Sequence, residues 1–236
     1  GGDTASAFAA GCPVIVKSHP MHIGTGEMVS SASLKAAQKT KMPEGVFSNL
    51  IGDGNSLGAT LVKHPLVKAV GFTGSINGGR ALYDLAAQRS EPIPVFAEMG
   101  SVNPVVLLPN SLVENSEKWA NSLAGSITLG AGQFCTNPGL LLGIKGKDLA
   151  KLPEELATAI EKIAPSCMLH PSIKSNFEKG SENRSSQSAV SKVAQYQGNI
   201  PPNYGSQTVL TVDGKTFLEN KTLSHEVFGP FSIIVQ

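Results

Sequence analysis

Cysteine is scarce in this chain of 236 residues: Cys12, Cys135 and Cys167 are scattered, and no C-x-x-C pair occurs. That excludes a disulfide framework and a cysteine zinc site, and it fits a soluble protein of a reducing compartment, the cytoplasm. An excess of one charge is also lacking. Lys+Arg number 19 and Asp+Glu 18, a formal net charge of +1 with no basic stripe, so the electrostatic footprint of a nucleic-acid binder is missing. No apolar run approaches the roughly 18 residues that a membrane span needs. His19 and His22 share a Pro-containing loop, but no acidic or sulfur residue is near them in sequence. A metal site needs several convergent ligands, so none is expected. What remains is a globular composition: 41% hydrophobic and 16% charged residues suffice for a sizeable core, and 25 glycines with 15 prolines imply many tight turns.

Residues 12–17 are a short apolar run typical of a strand covered on both faces, and 46–51, 67–72 and 93–97 read as further strands. Between them, residues 27–41, 55–64 and 77–89 have helical spacing; Pro43 follows the first and Pro65 stops the second. This alternation predicts a parallel sheet with helices on both faces. After Gly100 the rhythm changes. Residues 104–108 and 140–144 read as strands; residues 114–129, 156–163 and 188–197 read as helices. Residues 179–188 are polar and serine-rich and read as an exposed connection. A domain boundary is placed near residue 100, dividing the chain into 1–100 and 101–236. The chain opens Gly1-Gly2-Asp3, without Met or signal peptide, and stops inside the apolar run 231–236. A strand there needs partners on both sides, so the expectation is an internal piece of a longer chain.

Several residues stand out chemically. Cys135 sits in the Gly/Pro/Asn-rich loop 130–139, after a helix. There a sulfur reaches a ligand and backbone N–H groups can stabilise a thiolate or oxyanion, although a buried small hydrophobe is the commoner fate of a free cysteine. Cys12 and Cys167 lack such a setting and read as structural. Glu98 closes the apolar run Val95-Phe96-Ala97, at the carboxyl end of a parallel strand, where such sheets place ligands. Partial burial there would raise its pKa toward that of a general base; the alternative is a solvated strand-end charge. Gly71-Phe72-Thr73-Gly74-Ser75, with Gly78 and Gly79, joins a strand to a helix. It is neither G-x-G-x-x-G nor a Walker loop, so it reads equally as a phosphate cradle or a plain tight turn. Lys17 ends the strand Val14–Val16 and would reach either a ribose or phosphate group or solvent.

Together these pieces resemble the aldehyde dehydrogenase superfamily. Val14-Ile15-Val16-Lys17 is similar to the strand with the cofactor lysine. Gly71 to Ser75 with Gly79 is similar to the nucleotide-binding turn. Phe96-Ala97-Glu98-Met99-Gly100 with Asn103-Pro104 resembles the general-base segment. Gly130 to Cys135 resembles the nucleophile loop, and Glu226-Val227-Phe228-Gly229-Pro230 the motif that holds the nicotinamide ribose. Lys17-Ser18-His19-Pro20, Gly78 to Asp84 and Pro92-Ile93-Pro94 resemble the branch of α-ketoglutaric semialdehyde (2,5-dioxopentanoate) dehydrogenases and NADP-dependent fatty aldehyde dehydrogenases.

The resemblance implies an α/β fold. A partial Rossmann-like parallel sheet, the dinucleotide-binding part at 1–100, precedes an α/β catalytic domain at 101–236. It implies Cys135 as nucleophile and Glu98 as the base that activates water for thioester hydrolysis. It places Gly74, Ser75 and Gly79 at the pyrophosphate, Lys17 at the adenosine ribose, and Glu226 and Phe228 at the nicotinamide end. NAD-preferring relatives commonly carry a glutamate three residues after the lysine; here Pro20 stands there. Loss of that like charge implies NADP as the preferred cofactor, with NAD accepted. The implied substrate is an aldehyde, α-ketoglutaric semialdehyde first and a medium- or long-chain fatty aldehyde second. The implied assembly is a homodimer or homotetramer, with neither nucleic acid nor membrane as partner. A non-catalytic nucleotide-binding or structural module is the other class of reading. The resemblance covers only the middle of a family member, without the segment that supplies the oxyanion asparagine or the last oligomerisation strand. A lost oxyanion donor costs about 10²–10³ in rate, so the isolated piece is expected to be inactive.

Overall fold

A computed structural model describes residues 2–236, which divide into two compact units at Met99/Gly100. In the first unit the elements run α1 (Gly2–Ala9), β1 (Val14–Lys17), α2 (Ile23–Lys39), β2 (Phe47–Leu50), α3 (Gly54–Lys63), β3 (Val70–Gly74), α4 (Ile76–Ala87) and β4 (Val95–Met99). The strands are parallel, but they form two pairs instead of the single sheet that the sequence predicts. β1 pairs with β2 from Val14↔Phe47 to Lys17↔Leu50, and β3 with β4 from Val70↔Val95 to Gly74↔Met99. Each pair closes a local β-α-β crossover. Hydrophobic periodicity identifies strands and crossovers but is silent on which non-consecutive strands adjoin.

Local chemistry explains the helix starts. Asp53 caps α3 by accepting the Ser56 N–H at 2.9 Å, which holds its carboxyl below the usual range. Ser75 caps α4 by accepting the Gly78 N–H at 3.1 Å. α2 begins before the expected residue 27 and absorbs Gly24 and Gly26. A Cβ at Gly79 would lie 2.3 Å from Met99 Sδ, so glycine lets α4 pack closely on β4. Arg89 donates to the carbonyls of Val62 and Val67 at 3.0 and 2.9 Å and so fixes the α3–β3 connection.

The second unit contains β5 (Pro104–Leu107), α5 (Pro109–Thr128), β6 (Leu140–Gly143), α6 (Leu152–Glu161), α7 (Pro171–Ser185), β7 (Ser191–Gln195), β8 (Thr208–Val212), α8 (Gly214–Glu219) and β9 (Phe231–Val235). They build one sheet in the order β5-β6-β9-β8-β7, parallel except for the β7–β8 pair. β9 is the middle strand, and all five of its residues are buried. Its alternation feeds two cores. Ile234 joins Leu141, Val209, Ile127, Leu156 and Ile160 on the face covered by α5 and α6; Phe231, Ile233 and Val235 join Leu210, Leu223 and Phe177 on the other. Each such side chain contributes about 1.5–3 kcal/mol on burial.

Two sequence expectations fail here. Residues 188–197 were expected to be helical but supply the edge strand β7, and the supposed connection 179–188 lies mostly inside α7. α7 is polar, yet Phe177, Ser181 and Arg184 are buried. Tertiary packing, not propensity, sets both elements. Among the described residues no helix is long and apolar enough to cross a membrane, and no group of three His, Cys, Asp or Glu is placed to hold a metal ion.

Candidate active site

Parallel topology gathers the second unit's candidates at one end of its sheet. β5, β6 and β9 are adjacent and parallel, with Pro104 beside Leu140 and Leu140 beside Ile233. The segments that enter their amino ends are 100–103, 133–139 and 225–230. These carry Cys135 and Glu226, together with Ser101, Asn103 and Asn137, which the sequence reading did not single out as site residues.

The loop of Cys135 is held from two sides. On one side the Ser101 hydroxyl donates to the Cys135 carbonyl at 2.6 Å, and Asn103 Nδ2 to the Thr136 carbonyl at 2.6 Å. The Gly139 N–H donates to the Val102 carbonyl at 2.9 Å. On the other side Asn137 Nδ2 donates to the carbonyls of Gly229 and Phe231 at 3.0 and 3.3 Å. Gly132 lies against this same segment: a Cβ there would sit 2.3 Å from the Gly229 carbonyl carbon and oxygen and 2.4 Å from Pro230 N, and its φ is +65°. Only glycine accommodates both the contact and the left-handed backbone. Gln133 also reaches out of the loop, its Oε1 accepting the Leu169 N–H at 3.1 Å.

Cys135 is exposed, which removes the buried-hydrophobe reading. Exposure alone does not select it, because Cys12 and Cys167 are exposed as well. The surroundings of the three differ. Cys135 lies on a loop clamped by three side chains, whereas Cys12 Sγ has a long 3.9 Å contact to the Ala10 carbonyl and Cys167 lies at an isolated bridge to Tyr204.

Glu226 is half-buried and accepts the Ser101 N–H at 3.1 Å. Burial pushes its carboxyl above the usual range, and the Ser101 hydrogen bond pulls it partly back. Phe228, two residues on, is 39% exposed. The small cavity among these loops, about 20 Å³, is lined by Ser101, Phe134, Asn137, His225 and Glu226 among others. Arg184, buried in α7 and donating to the His225 carbonyl at 3.4 Å, ties the helix to the start of this segment; burial lowers its pKa.

In the first unit, Gly74 closes β3 and Ser75 opens α4, an arrangement that directs helix N–H groups at whatever sits over the turn. Gly79 is the buried packing glycine behind it. Lys17 closes β1, and its Nζ lies 3.4 Å from where a Cβ on Gly54 would be, so the bare N-terminal turn of α3 leaves room for the ammonium. Glu98 sits inside β4 opposite Thr73 and is exposed; the partial burial expected for it is not found. Its backbone is extended by pairing with β3, which turns its side chain to the open face of the pair.

Chemically, the second unit offers an exposed thiol on a constrained loop and a carboxylate of raised pKa. The first offers a capped helix N-terminus after β3 and a lysine at the end of β1. Among the missed residues Asn103 has φ +47°, a conformation Asn tolerates, although the following Pro104 favours extended backbone there.

The chain is 46% identical over all 236 residues to alpha-ketoglutaric semialdehyde dehydrogenase 2 of Azospirillum brasilense, and spans 45% of that protein. It is 39% identical over its whole length to the alpha-ketoglutaric semialdehyde dehydrogenase of Acinetobacter baylyi, spanning 44% of it. The chain thus covers about half the length of the curated relatives it matches. The crystal structure of an NAD-dependent aldehyde dehydrogenase from Sinorhizobium meliloti superposes with a TM-score of 0.81 at 23% identity, covering 99% of this chain and 46% of that one. The model of the aldehyde dehydrogenase family matches residues 1–236, and the chain belongs to that family.

Proposed function

We propose that this chain carries the cysteine centre of an NADP-dependent oxidation of α-ketoglutaric semialdehyde to 2-oxoglutarate. The observation that carries the reading is the clamped loop of Cys135, held by Ser101, Asn103 and Asn137 beside Glu226. The substrate class rests on the two semialdehyde dehydrogenase relatives, which match the chain from end to end.

The residues suit a dinucleotide. The Ser75-capped start of α4 presents N–H groups to a pyrophosphate, and Lys17 over Gly54 has room to meet a ribose or its phosphate. Pro20 follows Lys17 with no carboxylate to repel a 2′-phosphate. Glu226 takes the nicotinamide ribose hydroxyls. When bound, the nicotinamide accepts the hydride that leaves the substrate carbon.

The remaining steps belong to the chain. Cys135 attacks the aldehyde carbon as thiolate, forming the C–S bond while the carbonyl electron pair moves to oxygen. The Cys135 N–H steadies that oxyanion. Loss of hydride leaves a thioester on Cys135. Glu98 removes a proton from water, which adds to the thioester; the C–S bond breaks, and acid and thiolate are released.

The test is reduced-cofactor formation by the full-length gene product, with 2,5-dioxopentanoate and with a medium-chain aldehyde, each with NADP and NAD. The reading expects highest kcat/KM for 2,5-dioxopentanoate with NADP, and none in Cys135→Ser. Preference for the medium-chain aldehyde would replace the substrate assignment with that of a fatty aldehyde dehydrogenase. No turnover with any pair would leave a nucleotide-binding module.

A further inference from the structure

Ser101 hydrogen-bonds both the backbone of Cys135 and the side chain of Glu226. Its hydroxyl donates to the Cys135 carbonyl at 2.6 Å, and its N–H donates to Glu226 Oε1 at 3.1 Å. The residue is itself fixed. Gly100 before it has φ +70° and Asn103 after it φ +47°, so the backbone turns sharply on both sides of Ser101. Asn103 Nδ2 and the Val102 carbonyl bond the same loop at Thr136 and Gly139. Ser101 therefore stands on a hydrogen-bonded connecting segment between two groups that come from segments far apart in sequence.

We propose that Ser101 is a positioning residue that sets the spacing between Cys135 and Glu226, and through it the placing of the sulfur against the bound cofactor. The proposal rests on the reading of Cys135 as nucleophile and Glu226 as the ribose ligand. The two arms are chemically separable. The N–H arm belongs to the backbone and survives a change of side chain. The hydroxyl arm holds the Cys135 carbonyl. A trans peptide points its carbonyl and N–H in opposite directions, so gripping that oxygen also fixes the direction of the Thr136 N–H. Loss of the hydroxyl frees that peptide plane and leaves Glu226 in its bond. The effect then falls on the chemical step and not on cofactor affinity.

The experiment compares Ser101→Ala and Ser101→Thr with wild type in the full-length gene product. It measures kcat, the KM for NADP, thermal midpoint and the rate at which iodoacetamide alkylates Cys135. In Ser101→Ala, kcat is expected to fall about 3- to 10-fold, the change that loss of one neutral hydrogen bond brings. The KM for NADP stays within about twofold, and the alkylation rate changes about threefold, on the same energetic grounds. Ser101→Thr, which keeps the hydroxyl, recovers most of both losses. An Ala variant with wild-type kcat and alkylation rate would overturn the proposal. So would equal losses in Ala and Thr, or a loss matched by a fallen thermal midpoint, since either is a packing effect. If wild type shows no turnover, or Cys135→Ser retains it, the nucleophile reading fails instead. The alkylation comparison still decides whether Ser101 sets the thiol.

Discussion

The most exacting structural prediction concerns Gly132→Ala. The new Cβ would stand 2.3 Å from the carbonyl carbon and oxygen of Gly229 and 2.4 Å from Pro230 N. These are backbone atoms that lead into β9, the buried middle strand, so they have little freedom to retreat. The φ of +65° adds a left-handed penalty of about 1–2 kcal/mol for any residue with a Cβ. Overpacking adds about 1–3 kcal/mol. The sum, about 2–5 kcal/mol, is a large part of the 5–15 kcal/mol typical of a folded domain (roughly, by survey). Gly125→Ala is the matched control. It lies in α5, a Cβ there meets nothing within 4 Å, and alanine in a helix interior gains about 0.5–1 kcal/mol. Urea unfolding of the full-length gene product reads both. The two glycines should move stability in opposite directions, and Gly132→Ala should also lose turnover because the Cys135 loop leaves its seat. A Gly132→Ala variant within about 0.5 kcal/mol of wild type, the range of an ordinary surface change, would refute the reasoning.

Other expectations follow from single contacts. Glu226 has a folded-state pKa above its unfolded one, so between the two values the folded state binds more protons and stability falls as pH rises. Glu226→Gln keeps an acceptor for the Ser101 N–H but removes the charge. It should match wild type in stability below the ordinary carboxylate range and exceed it at pH 8, with a raised KM for NADP; equal pH profiles of unfolding would contradict this. Ser75→Ala removes the cap that accepts the Gly78 N–H and should cost about 1 kcal/mol by urea unfolding, with weaker cofactor binding by titration. Pro20→Glu should shift cofactor preference toward NAD by about tenfold or more. Like charges near 4 Å repel by about 4 kcal/mol at an effective dielectric of about 20, and solvent around this exposed loop reduces that figure. An unchanged ratio of kcat/KM for NADP and NAD would remove Pro20 from the argument.

Much of this architecture was legible in apolar runs. Val14–Lys17, Phe47–Leu50, Leu140–Gly143 and Phe231–Val235 are strands near glycine or proline, and only the last is buried at every position. The cover on both faces expected for residues 12–17 is not found, since Ile15 in β1 is 50% exposed. The run 231–236 has its two partners within this chain: β9 is paired with β6 and β8. β7 misled because it is an edge strand, Ser191-Lys192-Val193-Ala194-Gln195, whose polar residues face water and whose apolar spacing passes for helical. α7 misled in the reverse sense, being polar and fixed by the burial of Phe177 against the second core. β8 escaped notice altogether. Cys135, Glu98 and the Gly74–Ser75 turn stood out because a thiol or a carboxylate in a glycine-rich or apolar setting is chemically unusual. Ser101 and Asn137 did not, because serine and asparagine beside Gly or Pro are ordinary turn residues. Their role lies in contacts across 34 and 92 residues of chain, which no local pattern carries.

The central claim is that Cys135 bears the acyl group. The direct measurement is mass spectrometry of Glu98→Gln full-length gene product, quenched in acid after mixing with NADP and 2,5-dioxopentanoate. With water activation removed, the account predicts an acyl mass increment on the peptide containing Cys135, absent without NADP and absent in Cys135→Ser. An increment on Cys12 or Cys167, or none while reduced cofactor forms in a burst, would contradict it.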